Sequence, residues 1–222
     1  MPEVDVDAQL GAWPYAPGQG PFRARGRVLI GHQDFIRDAV PGGLAAVRAQ
    51  LRPATRGFYD SEFIATGWYD VAPLIESGLV CARLTGRSFD EYVRYRSGLQ
   101  VAADMKGFYG FLAKLVTPAG AAVRMAKAIA MFLDFIDVRV RARSARRLEM
   151  EIDGVPELLV LPWLRSVLTG YAAGLTKHVR ASHLDTRLEP IARLETRNGL
   201  SMLRCLLVVD YTERPALASE RA

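Results

Sequence analysis

The chain has 222 residues, of which 50% are hydrophobic and 24% are charged. This composition excludes a chain that is disordered throughout, because such chains combine few apolar residues with a high net charge. Its two cysteines, Cys81 and Cys205, are too few and too far apart for a cysteine-rich secreted scaffold or a paired-cysteine zinc site. No apolar run is long enough to cross a bilayer, and the N-terminus lacks the basic-then-apolar order of a signal peptide. We therefore expect a cytoplasmic protein.

The net charge of +5 arises in the second half of the chain. Residues 112–222 carry 17 basic and 12 acidic side chains, whereas residues 1–111 carry 12 of each. A modest positive lobe can attract nucleic acid, anionic lipid or an acidic protein. Most proteins with this balance bind none of these specifically, so the charge argues against a dedicated nucleic-acid-binding role.

Prolines and glycines interrupt residues 1–21, which we expect to form a flexible arm with Trp13 and Tyr15 as its anchors. A single domain should occupy residues 22–212, and the polar residues 213–222 should form a frayed tail. The domain opens with arginines that alternate with apolar or small residues from Phe22 to Val28, and this alternation, continued by Leu29 and Ile30, predicts a half-buried strand.

Helical periodicity starts near residue 42 and continues to residue 136. Asp70 is a suitable N-cap for a helix that ends at Gly86, and Ser88 with Glu91 forms a capping box for the next helix. The other helices are predicted after Gly43, between Gly107 and Val116, and from Thr117 onward. Residues 42–136 therefore predict an unbroken layer of about five helices.

Two-residue periodicity returns after Asp137 and predicts a hairpin. Because its apolar sets should face one core, side-chain parity places Arg139 opposite Glu151 and Arg141 opposite Glu149. The remaining predicted elements are a helix over 162–174, strands over 178–184, 191–196 and 201–211, and a tight turn at Asn198-Gly199.

Helices and strands thus separate along the chain, and the predicted class is α+β. The expected architecture is an N-terminal strand followed by a layer of about five helices, packed on a C-terminal antiparallel sheet with one further helix. The apolar run at residues 206–209 predicts a central, covered position for the last strand.

No motif places a nucleophile, an acid–base pair, a metal site or a phosphate-binding loop, so we do not expect an enzyme. His178 and His183 lie five residues apart, so on one strand they point to opposite faces and cannot chelate one metal. His32 should be a loop or capping residue. Cys81 and Cys205 should be small buried hydrophobes, with a reactive thiol at Cys81 as the alternative.

The arginines of the hairpin have two interpretations. They can pair with Glu149 and Glu151, or they can form an anion-binding patch. Arg146 and Arg147 lie at the hairpin tip without obvious partners, and we expect these two to contact an acidic partner.

Aromatic and methionine side chains are concentrated in the helical layer. They can pack as a solid core, or they can enclose an apolar cavity with a few hydroxyl groups. In the second case the ligand-binding residues would be Trp68, Tyr92, Tyr95, Tyr109, Met125 and Phe132.

Three segments carry a resemblance to known families: LVCARLTGRSFDEY at residues 79–92, the helix from Leu164 to Gly174, and the closing residues 194–208. Over residues 22–212 the chain resembles the fold shared by 4-vinyl reductase domains, haem nitric-oxide binding domains and Bet-type subunits of the TRAPP tethering complex. It is most similar to a family of uncharacterised myxobacterial proteins. The resemblance implies a cavity between helices and sheet that holds haem, a small aromatic or an acyl chain, in a sensory or assembly module.

The chain departs from the haem-binding relatives at two points. The resemblance implies a proximal histidine before the sheet, but no histidine occurs between His32 and His178. It also implies a Tyr-x-Ser-x-Arg motif, and the segment from Tyr92 to Arg96 lacks the serine. We therefore predict no cofactor and argue against haem, and the single cysteine near the final strands, Cys205, argues against a metal.

Two functional hypotheses follow. The first is a non-enzymatic ligand-binding or signalling module that holds a small apolar or aromatic molecule between the helical layer and the sheet. The alternative is a structural adaptor, without a ligand, that dimerises or docks onto a larger assembly through its helical layer.

Overall fold

The computed structural model describes residues 5–104, 129–176, 178 and 181–213. The predicted helix between Gly107 and Val116 lies outside these residues, as do most of the next helix and residues 214–222 of the predicted tail. The helices are α1 (Val6–Gly11), α2 (Gly26–Ala39), α3 (Gly43–Gln50), α4 (Pro53–Phe58), α5 (Val71–Leu84), α6 (Phe89–Asp104) and α7 (Val160–Leu175). The strands are β1 (Arg23–Arg25), β2 (Trp68–Asp70), β3 (Asp137–Arg143), β4 (Arg147–Pro156), β5 (Ala181–Arg197) and β6 (Leu200–Glu213).

The strands form two antiparallel sheets. β1 pairs with β2, and the larger sheet has the order β3-β4-β6-β5. The predicted α+β class is confirmed, as is the central position of the last strand. The turn before β6 also forms as predicted, with Asn198 and Gly199 both at positive φ.

The larger sheet has one apolar face and one charged face. On β6, Cys205, Leu207 and Val209 are fully buried, and α7 packs against β4 and β5. On the opposite face Asp153 accepts hydrogen bonds from Arg204 and Arg139, each at 2.6 Å, and the hydrogen bond from Arg204 lowers the pKa of Asp153. The fully buried side chains of the sheet thus lie on its helical side, and that side carries the core.

The N-terminal segment packs on the domain. Val6, Leu10 and Trp13 are buried, and the Asp70 carboxylate accepts hydrogen bonds from the backbone N–H groups of Gly18 at 2.9 Å and Gly20 at 3.0 Å. Asp70 also caps α5 as predicted, through Ala72 N at 3.0 Å. Burial raises the pKa of Asp70 in spite of these hydrogen bonds. The division of the chain into arm, domain and tail stays a prediction.

The capping box of α6 forms as predicted. Ser88 Oγ accepts a hydrogen bond from Glu91 N at 3.3 Å, and a Glu91 carboxylate oxygen accepts one from Ser88 N at 2.9 Å. We expect Ser88→Ala to lower the free energy of unfolding by about 1 kcal/mol, because one N–H at the start of the helix loses its partner. Urea unfolding measures the change, and Ser61→Ala at an exposed loop position is the control. Equal stabilities of the two variants would contradict the role of the cap.

The predicted first strand is too long. β1 ends at Arg25, and α2 starts at Gly26 because Leu29, His32 and Ile36 recur at helical spacing and are buried. His32 is therefore a mid-helix residue and not a loop or capping residue. The helical layer is also interrupted, since β2 lies between α4 and α5.

The register of the predicted hairpin is half correct. Arg139 lies opposite Glu151 as predicted, but a β-bulge after Val140 places Ala142 opposite Glu149. The extra residue is Arg141, whose Nη1 lies 3.5 Å from Glu151 Oε1 instead.

The two strands predicted over 178–184 and 191–196 are one strand, β5. It passes through Pro190 with a bulge on the far side of the proline. An edge strand tolerates proline because its outer N–H groups need no partner in the sheet.

Candidate ligand-binding site

A cavity lies between α2, α6, α7 and residues 129–133, and we call it the main cavity. Its volume is about 130 Å³, close to the roughly 150 Å³ of an engineered apolar cavity that binds benzene in another protein. The main cavity is therefore large enough for a ligand of about one ring. Its lining is mostly apolar and comprises Arg27, Val28, Arg96, Ser97, Gln100, Ile129, Phe132, Leu133, Trp163, Leu164, Val167, Leu168 and Tyr171.

Two glycines of α7 bring it close to α6. A Cβ atom at Gly170 would lie 2.2 Å from the backbone oxygen of Arg94, and one at Gly174 would lie 2.5 Å from that of Gly98. Only a residue without a side chain fits these positions. The close approach places Ser97 of α6 beside α7 at the wall of the main cavity.

A second cavity of about 20 Å³ adjoins the main cavity, and we call it the annex. His32, Leu74, Gly78, Tyr92 and Val93 line only the annex, whereas Arg96, Ser97, Trp163 and Val167 line both spaces. These four shared side chains lie where the two spaces adjoin. The annex has room for one water-sized group, since such a group needs at least about 10–15 Å³.

His32 lines the annex with an imidazole ring whose Nδ1 has no hydrogen-bond partner within the described residues. Its Nε2 lies 2.9 Å from Ser77 Oγ, and the Ser77 hydroxyl donates its one hydrogen to the Leu74 carbonyl at 2.8 Å. Tyr59 Oη lies 2.8 Å from the same Ser77 oxygen, whose two lone pairs can accept from Tyr59 and from His32 together. With this arrangement of donors we assign the hydrogen of the neutral ring to Nε2, which leaves a lone pair on Nδ1. Nδ1 is buried and has no hydrogen-bond partner within the described residues. Burial, and then the charge of Arg96, lower the pKa of His32 well below its ordinary value, so the ring is neutral.

Two further hydroxyl groups at the annex are buried. That of Ser97 has no hydrogen-bond partner in the described part of the chain, and that of Tyr92 lies beside the Cys81 thiol and shares a hydrogen bond with it. Tyr92 is 1% exposed and Ser97 is 2% exposed. Burial raises the pKa of Tyr92, and the nearby thiol of Cys81 raises it further. Cys81 itself is fully buried, and burial raises its pKa to about 11, so it is a protonated core thiol, as predicted in preference to a reactive one.

The structure separates the predicted ligand-binding residues. Phe132 lines the main cavity and Tyr92 lines the annex. Trp68 lies instead in β2 under the guanidinium of Arg25, and Tyr95 is 44% exposed on α6. Tyr109 and Met125 lie outside the described residues.

The sequence reasoning missed three residues that the cavities bring together, namely His32, Ser97 and Trp163. Trp163 precedes Leu164 and Val167 in the apolar stripe that predicted α7, so its place on that helix was an available signal. Ser97 had no such signal, because serine on a helix is usually exposed.

The predicted anion-contact residues lie at the β3–β4 turn. Arg147 has a partner within the chain that the sequence did not suggest, since its Nε lies 2.7 Å from Asp210 Oδ1 across the charged face. Its contact with an acidic partner outside the chain stays a prediction. Arg146 is exposed, and its contact with an acidic partner stays a prediction. Within the described residues, none of the helices combines the length and hydrophobicity that a bilayer-spanning segment requires.

Comparison with known proteins identifies the fold. No family model matches the chain, and no curated protein matches it. The Fe(II) unliganded H-NOX protein from K. algicida is 14% identical with a TM-score of 0.58, over 87% of this chain and 99% of that one. An oxygen-binding H-NOX domain related to soluble guanylate cyclases, in its oxygen complex, is 12% identical with a TM-score of 0.54, over 89% of this chain and 100% of that one. A structure concerned with haem redox potential and porphyrin distortion has the same identity, TM-score and coverage.

These neighbours contradict the prediction of no cofactor and the argument against haem, because a solved protein with the same fold is described by its haem redox potential and porphyrin distortion. The argument relied on the absence of histidine between His32 and His178 and dismissed His32 itself. His32 is a buried neutral imidazole beside a cavity, and haem iron is also held by Cys, Met or Tyr in other proteins. The resemblance to H-NOX domains is thus supported at the level of the fold. Its 4-vinyl reductase, TRAPP and myxobacterial parts stay predictions.

Proposed function

We propose that the protein is a non-enzymatic, ligand-binding sensor module that holds a small apolar or aromatic molecule in the main cavity. The main cavity supports this function by its size and lining, because ligand sites are concave, mostly apolar and equipped with a few polar groups. Trp163, Leu164 and Phe132 supply apolar wall, and Ser97 supplies a hydroxyl group. The H-NOX neighbours support a sensor role through their shared fold.

Haem is the second candidate ligand, and the comparisons favour it. Bound haem would supply an iron that takes a small gas molecule or an electron. In this chain His32 Nδ1 offers a neutral nitrogen donor, and the exposed Arg27 at the main cavity offers a cation for the carboxylates of the porphyrin. A porphyrin is larger than one ring, so a haem-bound form needs a wider cavity than the one described.

The test titrates the purified protein separately with haemin and with toluene, a one-ring apolar probe. Toluene at 100 times its Kd should stabilise the fold by about 2.7 kcal/mol, read as a rise in Tm, and haemin should produce a Soret absorption band if it is the ligand. Val28→Phe fills the main cavity and should abolish the rise in Tm. Val140→Phe, at a half-exposed position of β3, is the matched control. The proposal fails if neither probe binds, or if Val28→Phe binds them as the parent does.

The adaptor hypothesis has one observation in its favour. Tyr95 and Leu99 lie one turn apart on α6, and each is 44% exposed. If the chain dimerises through this face, light scattering should give a dimer mass that Leu99→Lys reduces to that of a monomer. A monomeric parent protein would reject the homodimer. The cytoplasmic location and the absence of a nucleic-acid partner also stay predictions.

A further inference from the structure

The annex places a chemical requirement on the ligand of the main cavity, and this inference rests on the proposed function. We propose that the ligand carries one neutral hydroxyl group, and that His32 Nδ1, Ser97 and Tyr92 bind this hydroxyl in the annex. The ligand would then be an alcohol or a phenol whose body of about one ring fills the main cavity.

The annex contains one unused hydrogen-bond acceptor, Nδ1 of His32. His32 is 2% exposed and its Nδ1 carries an unused lone pair, so the annex is complete only when a hydrogen-bond donor enters it. The ring is neutral there because burial, and then the charge of Arg96, lower the pKa of His32.

The annex also contains two hydrogen-bond donors, the hydroxyl groups of Ser97 and Tyr92. The hydroxyl groups of Ser97 and Tyr92 each carry one hydrogen. Ser97 lacks a partner within the described residues, and Tyr92 has the thiol of Cys81, a weak hydrogen-bonding group. A hydroxyl oxygen on the ligand has two lone pairs, so it can accept from both while its own hydrogen goes to His32 Nδ1. One hydroxyl group therefore supplies both the donor that His32 needs and the acceptor that Ser97 and Tyr92 need.

Other head groups satisfy the annex less well. A carboxylate would be attracted by the charge of Arg96, but it brings no hydrogen for Nδ1 and would place its own lone pairs against that nitrogen. An ammonium group would lie near the positive charge of Arg96. An ether or a fluorine accepts but does not donate. The volume of about 20 Å³ also limits the head to one water-sized group.

Ser97 connects the two spaces. It lines both the main cavity and the annex, together with Arg96, Trp163 and Val167. A ligand that lies against Trp163 in the main cavity thus presents its head to the annex at Ser97.

The experiment compares cyclohexanol with fluorocyclohexane, which is similar in size and lacks the donor, by calorimetric titration of the full chain. Cyclohexanol should bind about tenfold more tightly, the value of one net hydrogen bond. Cyclohexanecarboxylate should bind more weakly than cyclohexanol. In Ser97→Ala and in His32→Phe the tenfold preference should shrink toward equal affinity. His183→Phe, at an exposed position of β5, is the matched control and should keep the preference.

The possible outcomes distinguish a failure of the hydroxyl requirement from a failure of the proposed function. Equal affinities of cyclohexanol and fluorocyclohexane for the parent protein overturn the hydroxyl requirement and leave the proposed function standing. Failure of both to bind, with toluene also unbound, overturns the proposed function and this inference together. A haemin complex whose Soret band depends on His32 also overturns the inference, because the iron would use the same lone pair. If His32→Phe does not fold, Ser97→Ala decides alone.

Discussion

Replacing Gly170 with alanine is expected to lower the free energy of unfolding by about 1–3 kcal/mol, the usual cost of overpacking. The new methyl group would lie 2.2 Å from the Arg94 carbonyl oxygen and 2.6 Å from the Arg94 Cα. Both atoms are backbone, so no side chain can rotate away and α6 and α7 must separate. Urea unfolding, with the slope and midpoint fitted together, measures the loss.

Gly78→Ala is the matched control for this prediction. Gly78 lies within α5, and a Cβ there would meet Phe89 and Tyr92 ring atoms at 3.5 and 3.8 Å, which are ordinary contacts. Alanine has a higher helix propensity than glycine by about 0.8–1 kcal/mol, so this variant should be at least as stable as the parent. A Gly170→Ala protein as stable as Gly78→Ala would show that α6 and α7 pack less closely than described.

Separation of α6 and α7 should also impair ligand binding. Ser97 belongs to α6 and Trp163 and Val167 belong to α7, and these three side chains line both cavities. The glycine contact fixes their spacing, so Gly170→Ala should weaken toluene binding even at temperatures where the variant remains folded.

Local signals in the sequence were sufficient wherever the structure depends on adjacent residues. Asp70 and Ser88 cap helices as predicted because a cap joins a side chain to backbone N–H groups two or three residues away. Asn198-Gly199 forms its turn because both residues tolerate positive φ.

Structural elements that form only by pairing with distant parts of the chain were not predicted from the sequence. β2 has three residues and exists only because it pairs with β1, about 45 positions earlier in the chain, with Ala24 opposite Tyr69. The bulge at Arg141 shifts the β3–β4 register by one residue, and no pattern within the hairpin sequence encodes it. Propensity and periodicity carry no information on such pairings.

The residues of the candidate site were also only partly predictable, because the cavities depend on contacts between distant segments of the chain. Tyr92 and Phe132 were identified as ligand-binding candidates by their aromatic character alone, which equally selected Trp68 and Tyr95. The distinction between the two pairs depends on which faces of the helices and strands meet in the fold. His32 was missed because its helix was interpreted as the end of a strand, so the polar centre of the annex was not predicted.

Acidification is expected to destabilise the protein from about pH 6.5 downward, because unfolded histidine takes up a proton near that pH. In the folded state burial and the charge of Arg96 lower the pKa of His32 well below this value, so the buried ring stays neutral. The unfolded chain then binds one more proton than the folded chain. Linkage converts this difference into a loss of up to about 1.4 kcal/mol per pH unit, until the folded-state pKa of His32 is reached.

Carboxyl groups also make the free energy of unfolding depend on pH, but they do so at lower pH than His32. The lowered pKa values of Asp153 and Asp210 remove stability only from about pH 4 downward. The raised pKa of Asp70 has the opposite effect, since its folded form takes up a proton before the unfolded one. Urea unfolding between about pH 7 and pH 5 therefore reports mainly on histidine.

His32→Gln should remove most of the dependence of the free energy of unfolding on pH between about pH 7 and pH 5. Glutamine does not titrate, and its side-chain amide can still donate a hydrogen bond to Ser77. His183→Gln, at an exposed position of β5, should leave this dependence unchanged. If His32→Gln and the parent lose stability equally between pH 7 and pH 5, the ring accepts a proton within the fold. Its Nδ1 would then carry a hydrogen instead of a lone pair, and the annex would select a ligand that accepts a hydrogen bond there rather than one that donates.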